Sequence, residues 1–274
     1  MRQLKCRTIS SEIPQHVPSE ICVMASTNFS PTRVRLATHV HACRTSDYIV
    51  LLDLKRDMYI GVSDDDTLAA FRWIDGWPPP PQPKGTGDDN VPRPRELIEA
   101  LRLDGLLTAD RQPDQSRVSA TVPRARVALT DGIESPGTRV RPREVFLFAY
   151  AVARSRILLK FCRFERVTKY ARGRRQQIGS DPLNDGIDTD TLSQLKQRVH
   201  TFTHLRPLAF SGRDACLLET LALSEFLGYY KMFPAWVFGV ATAPFSAHCW
   251  LQYKDIVVND TPDRVGKYTP IMVL

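Results

Sequence analysis

The sequence has no run of about 18 uncharged apolar residues, the length that a membrane-spanning helix requires. Its first residues, MRQLKCRTISSEIPQH, also lack the continuous apolar core of a secretory signal. We therefore expect a cytoplasmic protein without a membrane span. At 274 residues the chain is long enough for roughly two domains, each with its own core.

The chain also lacks any CxxC pair, although it contains six cysteines. They are scattered over the whole sequence: Cys6, Cys22, Cys43, Cys162, Cys216 and Cys249. A zinc site therefore has no ligand spacing to support it, and a disulfide framework is unusual in a chain of this length. We expect reduced thiols, one of them a candidate nucleophile, and neither a metal nor a cofactor.

Two short clusters look like metal ligands when each is taken alone. His39 and His41 share one face of a predicted strand, and three aspartates occupy residues 64–66. The aspartates precede a predicted helix, where acids favour the positive N-terminal end, so helix capping explains them better. A metal bound by the histidine pair stays an alternative.

Acidic residues are scarce between residues 154 and 175, where nine basic residues face only Glu165. The net charge of this stretch, +8, exceeds the +7 of the whole chain, so the remainder is near neutral. One local basic face is therefore expected rather than a nucleic-acid-binding chain. The face is either a docking surface or an ordinary solvated helix surface.

The N-terminal region up to residue 34 shows no sustained periodicity and contains several prolines, so we expect it to be poorly ordered. Met24 is an alternative start. Residues 35–110 have the pattern of a small domain. The runs RLATHVHAC and DYIVLLDLKRDMYIGV predict three strands, and SDDDTLAAFRWIDGW and RELIEALRLDGLL predict two helices, the first capped by Ser63 or Asp64.

A proline-rich insertion, residues 77–94, interrupts this small domain and is either a surface loop or a ligand for a proline-recognising partner. Residues 111–141 mix charged residues with proline, glycine and serine, which predicts a linker. From Pro142 onwards, helical patterns give way to three strand-like runs, AWVFGVAT, AHCWLQYK and DIVVND. Residues 142–274 therefore form a second predicted domain.

Cys216 occupies the first turn of a predicted apolar helix, after the turn and cap residues Ser211, Gly212 and Asp214. The free N–H groups at a helix start stabilise a thiolate and lower the pKa of the thiol, and Arg213 adds positive charge. His248 lies on a predicted strand and Asp260 at the end of the next one. A tight turn near Lys254 would bring these two side chains together.

This order of residues predicts a Cys–His–Asp triad made of Cys216, His248 and Asp260. The histidine takes the thiol proton, and the acid fixes its tautomer and stabilises the imidazolium. Asp255 and Asn259 are alternative partners for the histidine, although Asp255 suits the turn. Cys249 directly follows His248 on a strand, so we expect it to face away from the site.

The segment 216–260 resembles the leader peptidases of lasso-peptide biosynthesis, the B proteins. Their C-terminal transglutaminase-like domain carries a cysteine, a histidine in a PF-x-AH-x-W context and an aspartate after a short strand. Cys216, His248 and Asp260 match these positions. Where the family motif reads AHAWVE this chain has AHCWLQ, so Cys249 and Gln252 depart from the pattern while the triad is kept.

The resemblance implies an α+β fold in two parts. A small winged-helix-like module of three strands plus helices (35–110) precedes a transglutaminase- or papain-like cysteine-hydrolase domain (142–274). A leader peptide would add a strand to the sheet edge of the small module. The expected peptide-binding residues are Met58, Tyr59, Ile60, Gly61 and Val62 of the third strand, with Leu97 and Leu101 of the following helix.

The implied activity is leader cleavage through a Cys216 thioester in the biosynthesis of a ribosomal peptide antibiotic. The core peptide would pass to an asparagine-synthetase-like macrolactam synthetase, and the basic face would dock this partner or acidic precursor segments. Two other functions stay open. One is acyl transfer to an amine, as in transglutaminases and arylamine acetyltransferases; the other is a non-catalytic, precursor-binding adaptor with an inactive hydrolase fold.

Overall fold

The computed structural model describes residues 5–9, 34–46, 48–63, 70–79, 94–109, 122–129, 140–176, 181–184, 187–210 and 216–274. The chain divides into two compact units, Met1–Val118 and Ser119–Leu274. Both units combine helices with sheets, so the fold is α+β, as predicted. Every helix in the described ranges is too short or too polar to cross a bilayer.

The first unit contains a four-stranded sheet in the order β1-β5-β4-β3. These strands are β1 (Lys5–Ile9), β3 (Val40–Arg44), β4 (Tyr48–Asp53) and β5 (Met58–Ser63). Strands β3, β4 and β5 are antiparallel neighbours, which confirms the strands predicted in these runs. The tight turn before β5 contains Asp57 at φ 57°, and the Asp53 carboxylate accepts the N–H groups of Lys55 and Arg56.

Strand β1 lies in the region that was expected to be poorly ordered. It runs parallel to β5 over five residue pairs, from Lys5 opposite Met58 to Ile9 opposite Val62. The prediction of disorder is therefore wrong for Lys5–Ile9. The prediction that β5 is an edge strand is also wrong, because β1 and β4 lie on its two sides. A parallel pairing depends on main-chain hydrogen bonds and leaves little trace in the local pattern.

A three-stranded sheet and two helices complete the described part of the first unit. Its elements are β2 (Val34–Leu36), α1 (Ala70–Trp73), β6 (Ile74–Asp75), α2 (Arg95–Leu103) and β7 (Leu107–Thr108). The predicted helix over RELIEALRL is confirmed, and Gly105 follows it at φ 65°. The core is apolar, with Ile49, Leu51 and Leu101 fully buried.

The first predicted strand, RLATHVHAC, is divided between β2 and β3 by a turn. His39 lies in this turn and is 3.7 Å from Asp53, measured from Nε2 to Oδ1. His39 therefore does not share a strand face with His41, and the interpretation of the two histidines as one metal-binding face is wrong. In the described parts of the chain, no group of three or more His, Cys, Asp or Glu side chains is arranged to hold a metal ion.

The second unit places helices against a five-stranded sheet of order β12-β9-β10-β11-β8. The strands are β8 (Val127–Ala128), β9 (Ala235–Thr242), β10 (Phe245–Tyr253), β11 (Ile256–Val257) and β12 (Thr269–Val273). The helices are α3 (Pro142–Phe161), α4 (Phe164–Gln176), α5 (Thr189–Leu205), α6 (Cys216–Gly228) and α7 (Pro262–Val265). The three predicted strand runs are confirmed by β9, β10 and β11.

Helix α6 is the central helix of this unit, because it contacts α3 and α5 as well as β10. Its sequence is apolar on every side, with Leu221, Phe226 and Leu227 buried, which is the pattern of a helix enclosed by its neighbours. Phe226 packs against Phe202 of α5 with ring centroids 5.7 Å apart. These contacts fix the position of Cys216, the first residue of α6, relative to the sheet.

Two predictions for the start of this unit need correction. Strand β8 lies inside the expected linker 111–141, yet it pairs in parallel with β11. The linker prediction is therefore wrong for residues 122–129, which are part of the second unit. The helical run after Pro142 also breaks at Cys162, between α3 and α4. Pro142 itself occupies the first turn of α3, as expected.

Part of the basic stretch forms ion pairs inside the domain. The buried carboxylate of Glu225 on α6 lies 3.1 Å from Arg154 and 2.7 Å from Arg174. Arg175 pairs with Asp181 at 2.7 Å, and Lys169 pairs with Glu165. Three carboxylates thus pair with four of the nine basic residues, and two of them, Glu225 and Asp181, lie outside the stretch, so its uncompensated positive charge is smaller than its composition indicates.

Several predictions fall outside the described residues. They concern the alternative start Met24, the cap and acids at residues 64–66, most of the insertion 77–94, the remainder of the linker, and the turn residues 211–215 before α6.

Candidate active site

The thiol of Cys216 lies at the wall of a cavity of about 620 Å³ in the second unit. His248 and Asp260 line the same cavity, together with Arg206, Glu219 and Arg264. Cys216 is supplied by the first turn of α6, His248 by β10, and Asp260 by the segment after β11. The structure therefore brings the three predicted triad residues together from three different elements.

His248 and Asp260 form a close pair, with Nε2 of the imidazole 2.5 Å from Oδ2 of the carboxylate. Their side chains are only 6% and 8% exposed, so the bond is shielded from water. The other oxygen, Oδ1, accepts the main-chain N–H of Thr261 at 2.8 Å, which fixes the carboxylate. A turn at Lys254 and Asp255 reverses the chain between β10 and β11, as the sequence predicts.

The two alternative partners of His248 have other contacts. Asn259 uses its Oδ1 to accept the N–H of Leu251 at 2.8 Å. Asp255 lies in the turn, and its main-chain carbonyl accepts the N–H of Arg126 at 2.8 Å. Asp260 is thus the acid that contacts the histidine.

The imidazole connects Asp260 to Cys216. Because Nε2 is bonded to Asp260, Nδ1 is the ring nitrogen left for the sulfur. Burial lowers the pKa of His248, but hydrogen bonds to Asp260 and Cys216 and the negative charge of both outweigh it and raise the pKa to about 9. A protonated imidazole next to a carboxylate and a sulfur is the arrangement of a thiolate–imidazolium pair.

The pKa of the Cys216 thiol is lowered to about 4. A hydrogen bond from Cys249 is the largest cause; burial acts in the opposite direction, and the hydrogen bond and positive charge of His248 lower the pKa further. The main-chain N–H of Leu217, at the start of α6, adds to this. Burial holds the pKa of Cys249 well above its usual range, so Cys249 stays protonated and donates.

The contact between Cys216 and Cys249 corrects the prediction that Cys249 faces away from the site. Strand alternation does send His248 and Cys249 to opposite sides of β10. However, α6 packs across β10, and Thr220, one turn after Cys216, donates to the carbonyl of Cys249 at 3.3 Å. Cys216, at the start of α6, can therefore contact both His248 and Cys249. Alternation along one strand cannot show where a packed helix begins.

The His248 ring is enclosed by aromatic side chains. Tyr268 and Trp250 lie with ring centroids 5.2 and 6.1 Å from it. Gly239 is opposite His248 on β9, and a Cβ there would come within 2.8 Å of Tyr268 Cβ and 3.0 Å of the Trp250 ring. A residue without a side chain at this position thus allows the aromatic wall to pack closely around the histidine.

Residues 155–273 match the family model of the transglutaminase-like superfamily. The matched region includes Cys216, His248 and Asp260. A comparison with curated proteins gave no significant match, and neither did a comparison with solved structures. The transglutaminase-like domain is consistent with a cysteine-hydrolase or acyl-transfer fold, and members of this superfamily are usually cysteine proteases or acyltransferases.

The second departure from the AHAWVE motif, Gln252, has a structural explanation in this domain. Its side-chain oxygen accepts the indole N–H of Trp250 at 2.8 Å, and its amide nitrogen donates to the carbonyls of Pro123 and Lys254. Gln252 therefore supports the wall behind His248 and the turn after β10. A carboxylate at this position could accept the indole N–H, but it could not donate to the two carbonyls.

No local sequence pattern predicts two charged pairs that lie at the cavity. Arg206 donates from Nε to Glu219 at 2.6 Å, and Arg264 lies 3.8 Å from Asp260. Arg206 follows α5 and Arg264 belongs to α7, so each reaches the transglutaminase-like site from a separate helix. Only the three-dimensional packing brings these residues beside the nucleophile.

The predicted peptide-binding residues lie in the first unit. On β5, Tyr59, Ile60 and Val62 are buried, whereas Met58 and Gly61 are partly exposed. On α2, Leu97 is partly buried and Leu101 is fully buried in the core, so the Leu101 side chain has no free surface for a peptide. The main-chain edge of β5 that a leader strand would use is paired with β1.

Proposed function

We propose that this protein is a leader peptidase that binds a ribosomal lasso-peptide precursor and cleaves its leader with Cys216. The observation that carries the proposal is the site itself. A thiol with a pKa of about 4 and an imidazole with a pKa of about 9 share a cavity with a buried carboxylate, within a transglutaminase-like domain. In the first unit, β1 pairs in parallel with β5, so a leader strand at β5 would have to take the place of β1.

The proposed reaction has two halves. In the first, the Cys216 thiolate attacks the carbonyl carbon of the last leader residue, and His248 donates its proton to the departing amine. The C–N bond breaks, the core peptide leaves with a free α-amine, and the leader stays on the enzyme as a thioester. Asp260 stabilises the imidazolium before this transfer and fixes the ring orientation throughout.

In the second half, His248 takes a proton from water, which attacks the thioester carbonyl. The C–S bond breaks, the leader leaves with a new carboxylate, and the Cys216 thiolate is restored. The free α-amine of the core is the group that an asparagine-synthetase-like synthetase needs for macrolactam formation. We propose that the exposed basic residues Arg163 and Arg166 form part of a docking face for this partner or for acidic precursor segments.

Leader recognition is proposed at the side of the inner strand β5 that β1 occupies, over Met58–Ser63. Strand addition gains affinity from main-chain hydrogen bonds and specificity from pockets for alternate side chains. Because Lys5–Ile9 pairs with this edge, a leader strand would have to displace β1. Once bound, the precursor meets the peptidase domain of the same chain at a raised effective concentration.

An acyl transferase would share the thioester step and differ in the acceptor. The experiment that separates the two functions is mass spectrometry of the products from a synthetic lasso-peptide precursor, with and without an added primary amine. We expect a free leader acid and a free core peptide in both reactions. A leader that carries the amine as an amide would show acyl transfer instead, and an uncut precursor that still binds would indicate the adaptor.

A further inference from the structure

The side-chain amide of Asn259 is bonded on both sides. Its Oδ1 accepts the main-chain N–H of Leu251 at 2.8 Å, and its Nδ2 donates to the hydroxyl of Thr220 at 3.1 Å. Main-chain pairing next to β11 continues only as far as Val258, whose N–H donates to the carbonyl of Leu251 at 2.9 Å. The Asn259 side chain thus bonds to β10 just beyond the point where the main-chain pairing ends, next to Asp260.

The second member of this network is Thr220, which lies one helical turn after Cys216 on the same face of α6. Thr220 is buried, with 1% of its surface exposed. Its hydroxyl donates to the carbonyl of Cys249 at 3.3 Å while it accepts from Asn259. One hydroxyl can donate once and accept twice, so both bonds form together.

These bonds join the three elements that carry the candidate site. Thr220 lies on α6, the helix that carries Cys216. The Cys249 carbonyl and the Leu251 N–H belong to β10, the strand that carries His248. Asn259 directly precedes Asp260. We propose that Thr220 and Asn259 are positioning residues, which set the distance between the Cys216 sulfur and the His248–Asp260 pair. The proposal rests on the cysteine chemistry proposed above, and it does not depend on the identity of the precursor.

A physical reason makes this position sensitive. The hydrogen bond between Cys216 and His248 crosses from a helix to a strand, so any sliding of α6 along β10 lengthens it. Misplacing reacting groups by about 1 Å can reduce a rate by roughly 10²-fold. Loss of the Thr220 hydroxyl removes the bonds to both the strand and the Asp260 segment at once, and it leaves the Nδ2 group of Asn259 without its acceptor.

The test compares Thr220→Val, Asn259→Ala and the double variant in the full chain. The readout is the pH dependence of Cys216 alkylation by iodoacetamide, followed on the Cys216 peptide by mass spectrometry, next to the melting temperature. We expect the pKa of Cys216 to rise in all three variants, with alkylation about tenfold slower than wild type at pH 5. In the double variant, the pKa of Cys216 should rise no more than in the stronger single variant, because the two residues act in one network.

Two controls separate positioning from general stability. Thr168→Val removes another buried hydroxyl, one that donates to the Glu165 carbonyl at 2.9 Å on α4; it should lower the melting temperature without moving the alkylation profile. Thr220→Ser keeps the hydroxyl and should restore the wild-type profile. Lower melting temperatures with a wild-type profile in both single variants would overturn the proposal and leave the two residues a purely structural role.

The alkylation readout needs no precursor, so it is independent of the leader-peptidase proposal. A low Cys216 pKa in the wild-type chain without precursor cleavage would reject the proposed substrate, while the variants would still decide the positioning role. An ordinary thiol profile in the wild-type chain would reject both the thiolate–imidazolium site and the positioning proposal.

Discussion

His248 Nε2 lies 2.5 Å from Asp260 Oδ2, in a site where both side chains are almost completely shielded from water. This pair leaves the other imidazole nitrogen for Cys216, and it explains why a buried histidine keeps a raised pKa. The carboxylate offsets the cost of burying a positive charge. The role of the Asp260 charge can be tested with an almost isosteric substitution, Asp260→Asn.

Asp260→Asn should remove the negative charge and lower the pKa of His248. The imidazole would then lose its proton near neutral pH, and we expect kcat/KM for precursor cleavage to fall by about 10²-fold or more. Asp263→Asn, an exposed change on α7, is the matched control and should keep wild-type activity. Equal rates for wild type and Asp260→Asn would remove Asp260 from the triad.

The pH dependence of activity should be bell-shaped. The reactive form needs Cys216 deprotonated and His248 protonated, so activity should be lost below pH about 4 as the thiolate gains a proton. It should also be lost above pH about 9 as the imidazolium loses its proton. A pH series of kcat/KM measures both limbs. A single rise near the pKa of a free thiol would contradict the ion pair.

Cys249→Ala should shift the acid limb. The hydrogen bond from Cys249 is the largest contribution that lowers the pKa of Cys216, so its loss should move the onset of Cys216 alkylation to higher pH. Cys162→Ala, a change between α3 and α4, should leave this onset where it is. An unchanged onset in Cys249→Ala would show that the Cys249 thiol does not lower the pKa of Cys216.

A chain that begins at Met24 lacks strand β1 and should bind a leader peptide more tightly. In the full chain, Lys5–Ile9 occupies the side of β5 that is proposed for the leader and would have to leave first. Fluorescence anisotropy with a labelled leader peptide compares the two chains directly. Weaker or equal binding by the shorter chain would show that β1 does not compete with the leader.

Glu225→Gln should destabilise the second unit by about 1.5–3 kcal/mol, because the partly exposed guanidinium groups of Arg154 and Arg174 lose the charge of their shared carboxylate. Glu165→Gln is the control. Its partner Lys169 is mostly exposed, and such a pair contributes only about 0.3–0.5 kcal/mol. Urea unfolding measures the free energy of unfolding of both variants. Equal losses would mean that the two pairs of Glu225 stabilise the domain no more than the exposed pair does.

The local part of the site could be predicted from the sequence. A cysteine at a helix start, a histidine on a strand and an acid after a tight turn are short-range patterns, and the structure brings Cys216, His248 and Asp260 together as expected. The turn near Lys254 was predictable because the two strands it joins are adjacent in the chain. Strands β3, β4 and β5 are predictable for the same reason, because they are consecutive in the chain and pair with their neighbours.

The features that were missed depend on segments distant in the chain. Strand β1 pairs with β5 and β8 with β11 through main-chain bonds, which need no particular side chains. Cys249 reaches Cys216 because a helix packs across its strand, and Glu225 neutralises arginines from two other helices. Periodicity within one element carries no information on such contacts.

The proposed activity is tested most directly by cleavage of a synthetic lasso-peptide precursor by the wild-type chain and by Cys216→Ala, with products followed by mass spectrometry. We expect the wild type to release a free leader and a core peptide, and Cys216→Ala to bind the precursor and leave it uncut. Cleavage by Cys216→Ala at the wild-type rate would show that Cys216 is not the nucleophile.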